Sequence, residues 1–277
     1  MAHWPFCIVL IGKPGSLTAA LQAGFQQEGF AVELAAPGEP LPATALPATW
    51  LLIAASQQEA DDLAAHLPAI TQAPARVLVL SSYRVFSGEK SGFYHEADTP
   101  DGTDASAAPW QALEQWAGGF AGHCILRTDR LFAASADNIL TRLLQGVIDA
   151  GEVHVTGHLR GCPTAESDIA RVIIAMMQQM ACGAQCSGVY HYCSGDITHC
   201  NEFAEAVLTH ARQFQSIPDV NIITHEGEAS KQRAPLLSCQ RILDHFGIRQ
   251  RAWHSSLPAV IREYFASRSG KPAARPH

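Results

Sequence analysis

Unbroken apolar runs alternate with amphipathic stretches along the chain, and this pattern sets the expected fold. Residues 6–11 are continuously apolar, as in a parallel strand covered on both faces. Gly12, Lys13, Pro14 and Gly15, followed by Ser16, Leu17 and Thr18, turn the chain. Residues 19–28 then read as a helix that Gly29 ends. Strands are predicted at 30–34, 50–55 and 77–81, with a helix at 57–70 between the last two. This β-α-β-β-α-β order predicts an α/β fold, a Rossmann-like doubly wound parallel sheet. The second half predicts helices at 110–118, 138–149 and 201 to about 213, with strands at 124–127 and 188–193. The stretch after Phe265 is polar and proline-containing, and it is expected to be disordered.

The first half of the sheet is predicted to be reduced. The link from Leu34 to Trp50 has 15 residues and four prolines, too short and broken for another helix and strand. The only acid in its first part is Glu39, between prolines.

Composition narrows the class. With 277 residues and 47% apolar content, the chain can bury one large α/β domain, or a cofactor domain with a smaller one appended. A net charge of −7 without a basic stripe argues against nucleic acid. No apolar run approaches the roughly 20 residues that cross a bilayer, and the start has no basic leader region. A cytoplasmic protein is the expectation, and its eight cysteines then read as reduced thiols. Cys182, Cys186, His191, Cys193, His199 and Cys200 cluster in sequence, but no C-x-x-C pair occurs among them. Strand alternation would send neighbours to opposite faces, so no metal is expected.

The segment Leu80-Ser81-Ser82-Tyr83-Arg84-Val85-Phe86-Ser87-Gly88 resembles the S-T-D-Y-V-F-D-G strand end of the dTDP-4-dehydrorhamnose reductases, which are extended short-chain dehydrogenase/reductases. Other segments resemble that family in the same order. They are Gly12-Lys13-Pro14-Gly15, Tyr94 to Pro100, Ile125-Leu126-Arg127-Thr128, and Gly161-Cys162-Pro163-Thr164 with Asp168. Gly188-Val189-Tyr190-His191, Glu202-Phe203-Ala204, Arg233-Ala234-Pro235 and Phe246-Gly247-Ile248 continue the series. The resemblance implies a Rossmann-like NAD(P)-binding domain over about 1–150 and a small α/β substrate lobe over 151–265, with a tail at 266–277. It also implies that Gly12, Lys13, Gly15, Ala54 and Ser81 lie on the cofactor side. Arg160, Thr164 and Arg233 would lie on the substrate side, where the arginines either meet a pyrophosphate or are solvated surface groups.

The catalytic positions depart from the family. Ser82 keeps its Ser/Thr position, but Ser106 and Trp110 stand where the family has the tyrosine and lysine of Y-x-x-x-K. Reducing a carbonyl by hydride leaves an oxyanion that needs a proton, and a tyrosine gives it only when a cation lowers its pKa from about 10. Residues 95–122 contain neither tyrosine nor lysine. Thr18 replaces the last glycine of the phosphate turn and would push the helix off the sheet, leaving either a weakened phosphate site or a plain turn. The reading is therefore a catalytically degenerate homologue. It would bind NAD(P)H weakly, require no cofactor, and act as a regulatory or nucleotide-sugar-binding protein with a protein partner or as a homo-oligomer. The regulatory subunit of methionine adenosyltransferase, which resembles these reductases, is a precedent. The alternative is an NAD(P)H-dependent reductase with a relocated proton donor.

Overall fold

The computed structural model describes residues 4–39, 49–54, 60–66, 75–156, 160–215, 220–225 and 235–268. The elements run β1 (Cys7–Ile11), α1 (Ser16–Gln27), β2 (Ala31–Ala35), β3 (Thr49–Ala54), α2 (Ala60–Ala65), β4 (Arg76–Ser82), a 3-10 turn (Tyr83–Val85) and β5 (Phe93–Tyr94). Next come α3 (Ala108–Gly118), β6 (His123–Thr128), β7 (Leu131–Phe132), α4 (Ile139–Ala150), β8 (Glu152–Thr156), β9 (Arg160–Gly161) and β10 (Thr164–Ala165). The chain ends with α5 (Glu166–Ala181), β11 (Gly188–His191), β12 (Thr198–His199), α6 (Cys200–Ala211), β13 (Asn221–His225), β14 (Leu236–Leu237), α7 (Gln240–Phe246) and α8 (Trp253–Arg268).

Six strands form one parallel sheet in the order β11-β6-β4-β3-β1-β2, the Rossmann-like α/β fold that the apolar runs predict. In the common dinucleotide-binding order 3-2-1-4-5-6 the third strand lies outside the second. Here β3 pairs with β1 on the side away from β2, and among the described residues no strand lies beyond β2. The first half is thus short on that edge, and β2 exposes alternate residues accordingly. By contrast β3 and the interior of β4 are buried on both faces.

Contacts divide the chain into two compact units. The first holds Met1–Asp129, Ile169–Tyr192 and Pro235–Arg249; the second holds Arg130–Asp168, Cys193–Ala234 and Gln250–His277. The break expected near residue 150 falls inside the second unit, at the Gly151 cap of α4. In the second unit Phe132, Leu140, Phe203, Trp253, Leu257 and Ile261 pack one core between α4, α6 and α8. Helix α8 continues to Arg268, three residues into the expected tail; residues 269–277 lie outside the described residues. No helix among the described residues is long and apolar enough to cross a membrane.

The turn from β1 to α1 corrects one expectation. Thr18 does not push the helix away. The close approach is made at Gly12, where an added Cβ would lie 2.7 Å from the Ala54 carbonyl oxygen and 3.1 Å from Thr18 Cγ2. Thr18 is buried, and its hydroxyl accepts from the Gly15 amide at 2.9 Å and lies 3.0 Å from the Lys13 carbonyl. Gly15 is extended, and a Cβ there would meet nothing nearer than 3.9 Å. Gly12→Ala should therefore cost about 1–3 kcal/mol of stability by overpacking. Gly15→Ala should change it by no more than about 0.5 kcal/mol. Urea unfolding of the two variants checks the contrast.

Candidate functional site

Ligands of open parallel sheets sit beyond the carboxyl ends of the strands. In the first unit those ends carry Ala54 on β3, Ser81 and Ser82 on β4, Arg127 and Thr128 on β6, and His191 on β11. A buried ion pair organises them. Arg127 Nη2 and Nε donate to the two carboxylate oxygens of Glu114 on α3, at 2.7 and 2.8 Å. The Ser81 hydroxyl adds a third bond to Glu114 Oε1 at 2.6 Å. The Arg127 guanidinium also lies 4.9 Å over the Phe86 ring, and Phe86 stacks on Tyr94.

His191 completes the cluster. It is fully buried, with Nε2 3.5 Å from Arg127 Nη1, and burial first, then the Arg127 charge, push its pKa down to about 3. The imidazole is therefore neutral at physiological pH.

Ser82 caps the 3-10 turn, its oxygen accepting from the Arg84 amide at 3.3 Å. Ser106 is joined to the same segment, because Arg84 Nη1 donates to its hydroxyl at 2.9 Å. The Ser106 proton goes to Asp104 at 2.6 Å, and that bond holds the Asp104 carboxyl below the usual range. Trp110 is buried on α3, four residues before Glu114, and among the described residues its Nε1 has no hydrogen-bond partner. Arg84 thus touches both serines, Ser82 through its backbone amide and Ser106 through its guanidinium, and it lies outside the expected set of site residues.

At the phosphate turn Lys13 reaches across to Asp62 on α2 at 2.8 Å, and this contact holds the Asp62 carboxyl below its usual range. Glu39 does not extend outward as a ribose acceptor would; it accepts from the Ala36 amide in its own turn, at 3.2 Å. Gly12 and Ala54 are in close approach, as described above. The turn leaves space at Gly15 and offers an ammonium at Lys13, a surface that a phosphate fits. The Gly15 amide, however, is already taken by Thr18.

In the second unit Thr164 is buried. Its hydroxyl donates to the Cys162 carbonyl at 2.9 Å and accepts from the Ser194 amide at 3.0 Å, so it clasps backbone rather than facing a ligand. Arg160 is exposed on β9 opposite His199; Arg233 and His158 lie outside the described residues. A cavity of about 420 Å³ opens in this unit. Arg130, Arg142, His154 and His199 supply its basic groups, and Leu143 and Phe203 are among its apolar walls. Among the described residues, no three of His, Cys, Asp or Glu are grouped to hold a metal.

The residues that sequence reasoning missed left weak signals. Arg127 interrupts an otherwise apolar strand, which calls for a buried partner. Glu114 sits on the apolar face of α3, between Leu113 and Ala117.

A parallel six-stranded sheet with a glycine turn after β1 and polar side chains at its carboxyl ends defines a Rossmann-like α/β protein of the dinucleotide-binding type. The family model of the RmlD substrate binding domain matches residues 54–266, and the chain belongs to that family. A dTDP-4-dehydrorhamnose reductase of Aggregatibacter actinomycetemcomitans is 27% identical over 194 residues, covering 66% of this chain and 65% of the relative. One from Sinorhizobium fredii is 26% identical over 200 residues, 67% of this chain and 65% of the relative. The chain thus matches just under two thirds of the length of these curated relatives. Among solved structures, a Clostridium acetobutylicum dTDP-4-dehydrorhamnose reductase superposes with TM-score 0.72 at 17% identity, covering 92% of this chain and 98% of that one. The Bacillus anthracis reductase in complex with NADP gives 0.72 at 16% identity, with the same coverage.

Two measurements check the cluster. Glu114→Ala leaves Arg127 buried without its counter-charge and should cost about 3–5 kcal/mol in urea unfolding. Above about pH 6.5 the His191 ring is neutral in both states and costs no stability; below it the unfolded ring binds a proton that the folded one refuses. Stability is therefore lost as pH falls toward 3, on the order of 5 kcal/mol in all. His191→Gln should flatten this part of the stability profile.

Proposed function

We propose that this chain is an NAD(P)H-dependent reductase of a keto-bearing nucleotide sugar, of the dTDP-4-dehydrorhamnose type, with its proton donor away from the family position. The observation that carries the reading is the family match over residues 54–266, which takes in Ser82 and nearly all of the second unit with its basic cavity. Bound NADPH would supply the hydride. Lys13 and the Gly15 side of the turn would hold its phosphates. The Ser82 oxygen accepts from the Arg84 amide, which leaves its proton to donate to a substrate carbonyl. Tyr83, the next residue, is the relocated donor, with the Arg84 guanidinium 5.8 Å from its ring centre. The reading places the protein in the cytoplasm.

A second reading has specific support. The Ser106 proton is committed to Asp104 and the Gly15 amide to Thr18, as in a catalytically degenerate protein that requires no cofactor and regulates a partner or senses a nucleotide sugar. One assay separates the two. Following NADPH oxidation with dTDP-4-dehydrorhamnose, the reductase should turn over at about 1 per second or faster. Ser82→Ala and Tyr83→Phe should each lose about 100-fold or more. Absence of turnover, with calorimetric binding of a dTDP-sugar retained, would establish the second reading.

A further inference from the structure

The edge of the sheet holds a second cluster of reactive groups, around β6 and β11 at the ends away from Ser82. In the parallel pairing of β11 with β6, Gly188 is opposite Cys124, so Cys186 arrives two residues before its partner. Cys124 is buried, and its thiol donates to the carbonyl of Cys186 at 3.4 Å, which lays one cysteine side chain against the backbone of the other. Cys186 is half-buried, and both thiols are free. Two guanidinium groups are fixed at this backbone. Arg76 donates to the Cys186 carbonyl at 3.3 Å and Arg241 to the Ser187 carbonyl at 3.1 Å. Tyr190, whose ring lies 4.7 Å from the Arg241 guanidinium, sits with its hydroxyl 3.1 Å from His245 Nδ1.

We propose that Cys186 and Cys124 form a thiol pair that a hydroperoxide converts to a disulfide, fastening the edge strand β11 to β6. The thiolate is the reacting form of cysteine; Cys186 is the more exposed thiol of the pair, so it meets peroxide first. Burial pushes the Cys124 thiol up to about 12, which keeps it protonated and leaves the first attack on peroxide to Cys186. The Cys186 sulfur attacks one peroxide oxygen; an S–O bond forms, the O–O bond breaks, and the departing hydroxide takes a proton to become water. Cys186 is then a sulfenic acid. The Cys124 sulfur attacks the Cys186 sulfur, the S–S bond forms, the S–O bond breaks, and a second water carries away the Cys124 proton. Two thiols lose two electrons and one hydrogen peroxide becomes two waters. Cys186 lies in coil between the turn at Cys182–Gly183 and β11, so it can move without unpairing the strand. Cys182, exposed and four residues earlier, is the internal control.

The test treats the full chain with a small excess of hydrogen peroxide, then alkylates, digests and identifies peptides by mass spectrometry. A Cys124–Cys186 linked peptide is expected, with Cys186 oxidised at least about tenfold faster than Cys182. Cys124→Ser, or Cys124→Ala if serine is not tolerated, should leave a sulfenic acid at Cys186 that dimedone traps. Cys186→Ser should abolish the link, and Cys182→Ser should leave it unchanged. A Cys182–Cys186 link, oxidation spread evenly over the thiols, or no link in the unaltered chain would overturn the proposal. None of these outcomes depends on reductase activity.

Discussion

The bidentate pair of Arg127 and Glu114 is the constraint on which the carboxyl end of the sheet depends. Both groups are almost wholly buried. Removing two charges from water costs several kcal/mol each, and only good fork geometry with further hydrogen bonds offsets it. Here the fork is complete and Ser81 supplies the further bond. Because the partners come from β4, α3 and β6, the pair fixes the helix against the strands at the place where Ser82 emerges. Its neighbour His191 stays neutral first because it is buried and then because the guanidinium lies beside it.

The apolar runs made β1, β3, β4 and β6 legible, because strands buried on both faces carry no alternation to misread. Helices α1, α3, α4 and α6 followed from turn residues and spacing. Helix α5 was not read, although Ile169, Val172, Ile173, Met176, Met177 and Met180 fall at helical spacing and are buried. Its first turn carries the Asp168 family motif, which draws the eye from the periodic face that follows. Strand β13 is largely exposed and pairs with β8 from far along the chain, so neither periodicity nor neighbourhood marks it. Resemblance marked Ala54, Ser81 and Ser82, which lie at the carboxyl ends of β3 and β4, but not Arg84, Arg127 and Glu114 as site residues. The ion pair was not legible, because a lone glutamate on a helix reads as a solvated charge until its partner is known.

Thr18 shows how a glycine rule can fail while its physics holds. The rule demands close packing between helix and sheet. That packing is present, but it is borne by Gly12 against Ala54. The threonine methyl fills the space beside Gly12, and its hydroxyl takes over the Gly15 amide. The substitution therefore changes what satisfies the turn's backbone, not where the helix lies.

The same accounting applies to the catalytic positions. Tyrosine with lysine supplies an acid and a cation from one helix. In this chain α3 supplies neither, and the corresponding turn buries Trp110 instead. A cation is nevertheless present, because Arg84 reaches Ser106 from the strand side. The nearest tyrosine to that cation in sequence is Tyr83, adjacent to Ser82. On the reductase reading, carbonyl contact, cation and acid would all come from the single segment Ser82-Tyr83-Arg84 at the end of β4. The helix would keep only its structural duty, the Glu114 carboxylate that holds Ser81 and Arg127. Concentrating the chemistry on one short turn makes it depend on the backbone of that turn, whose first bond is the Arg84 amide to the Ser82 oxygen.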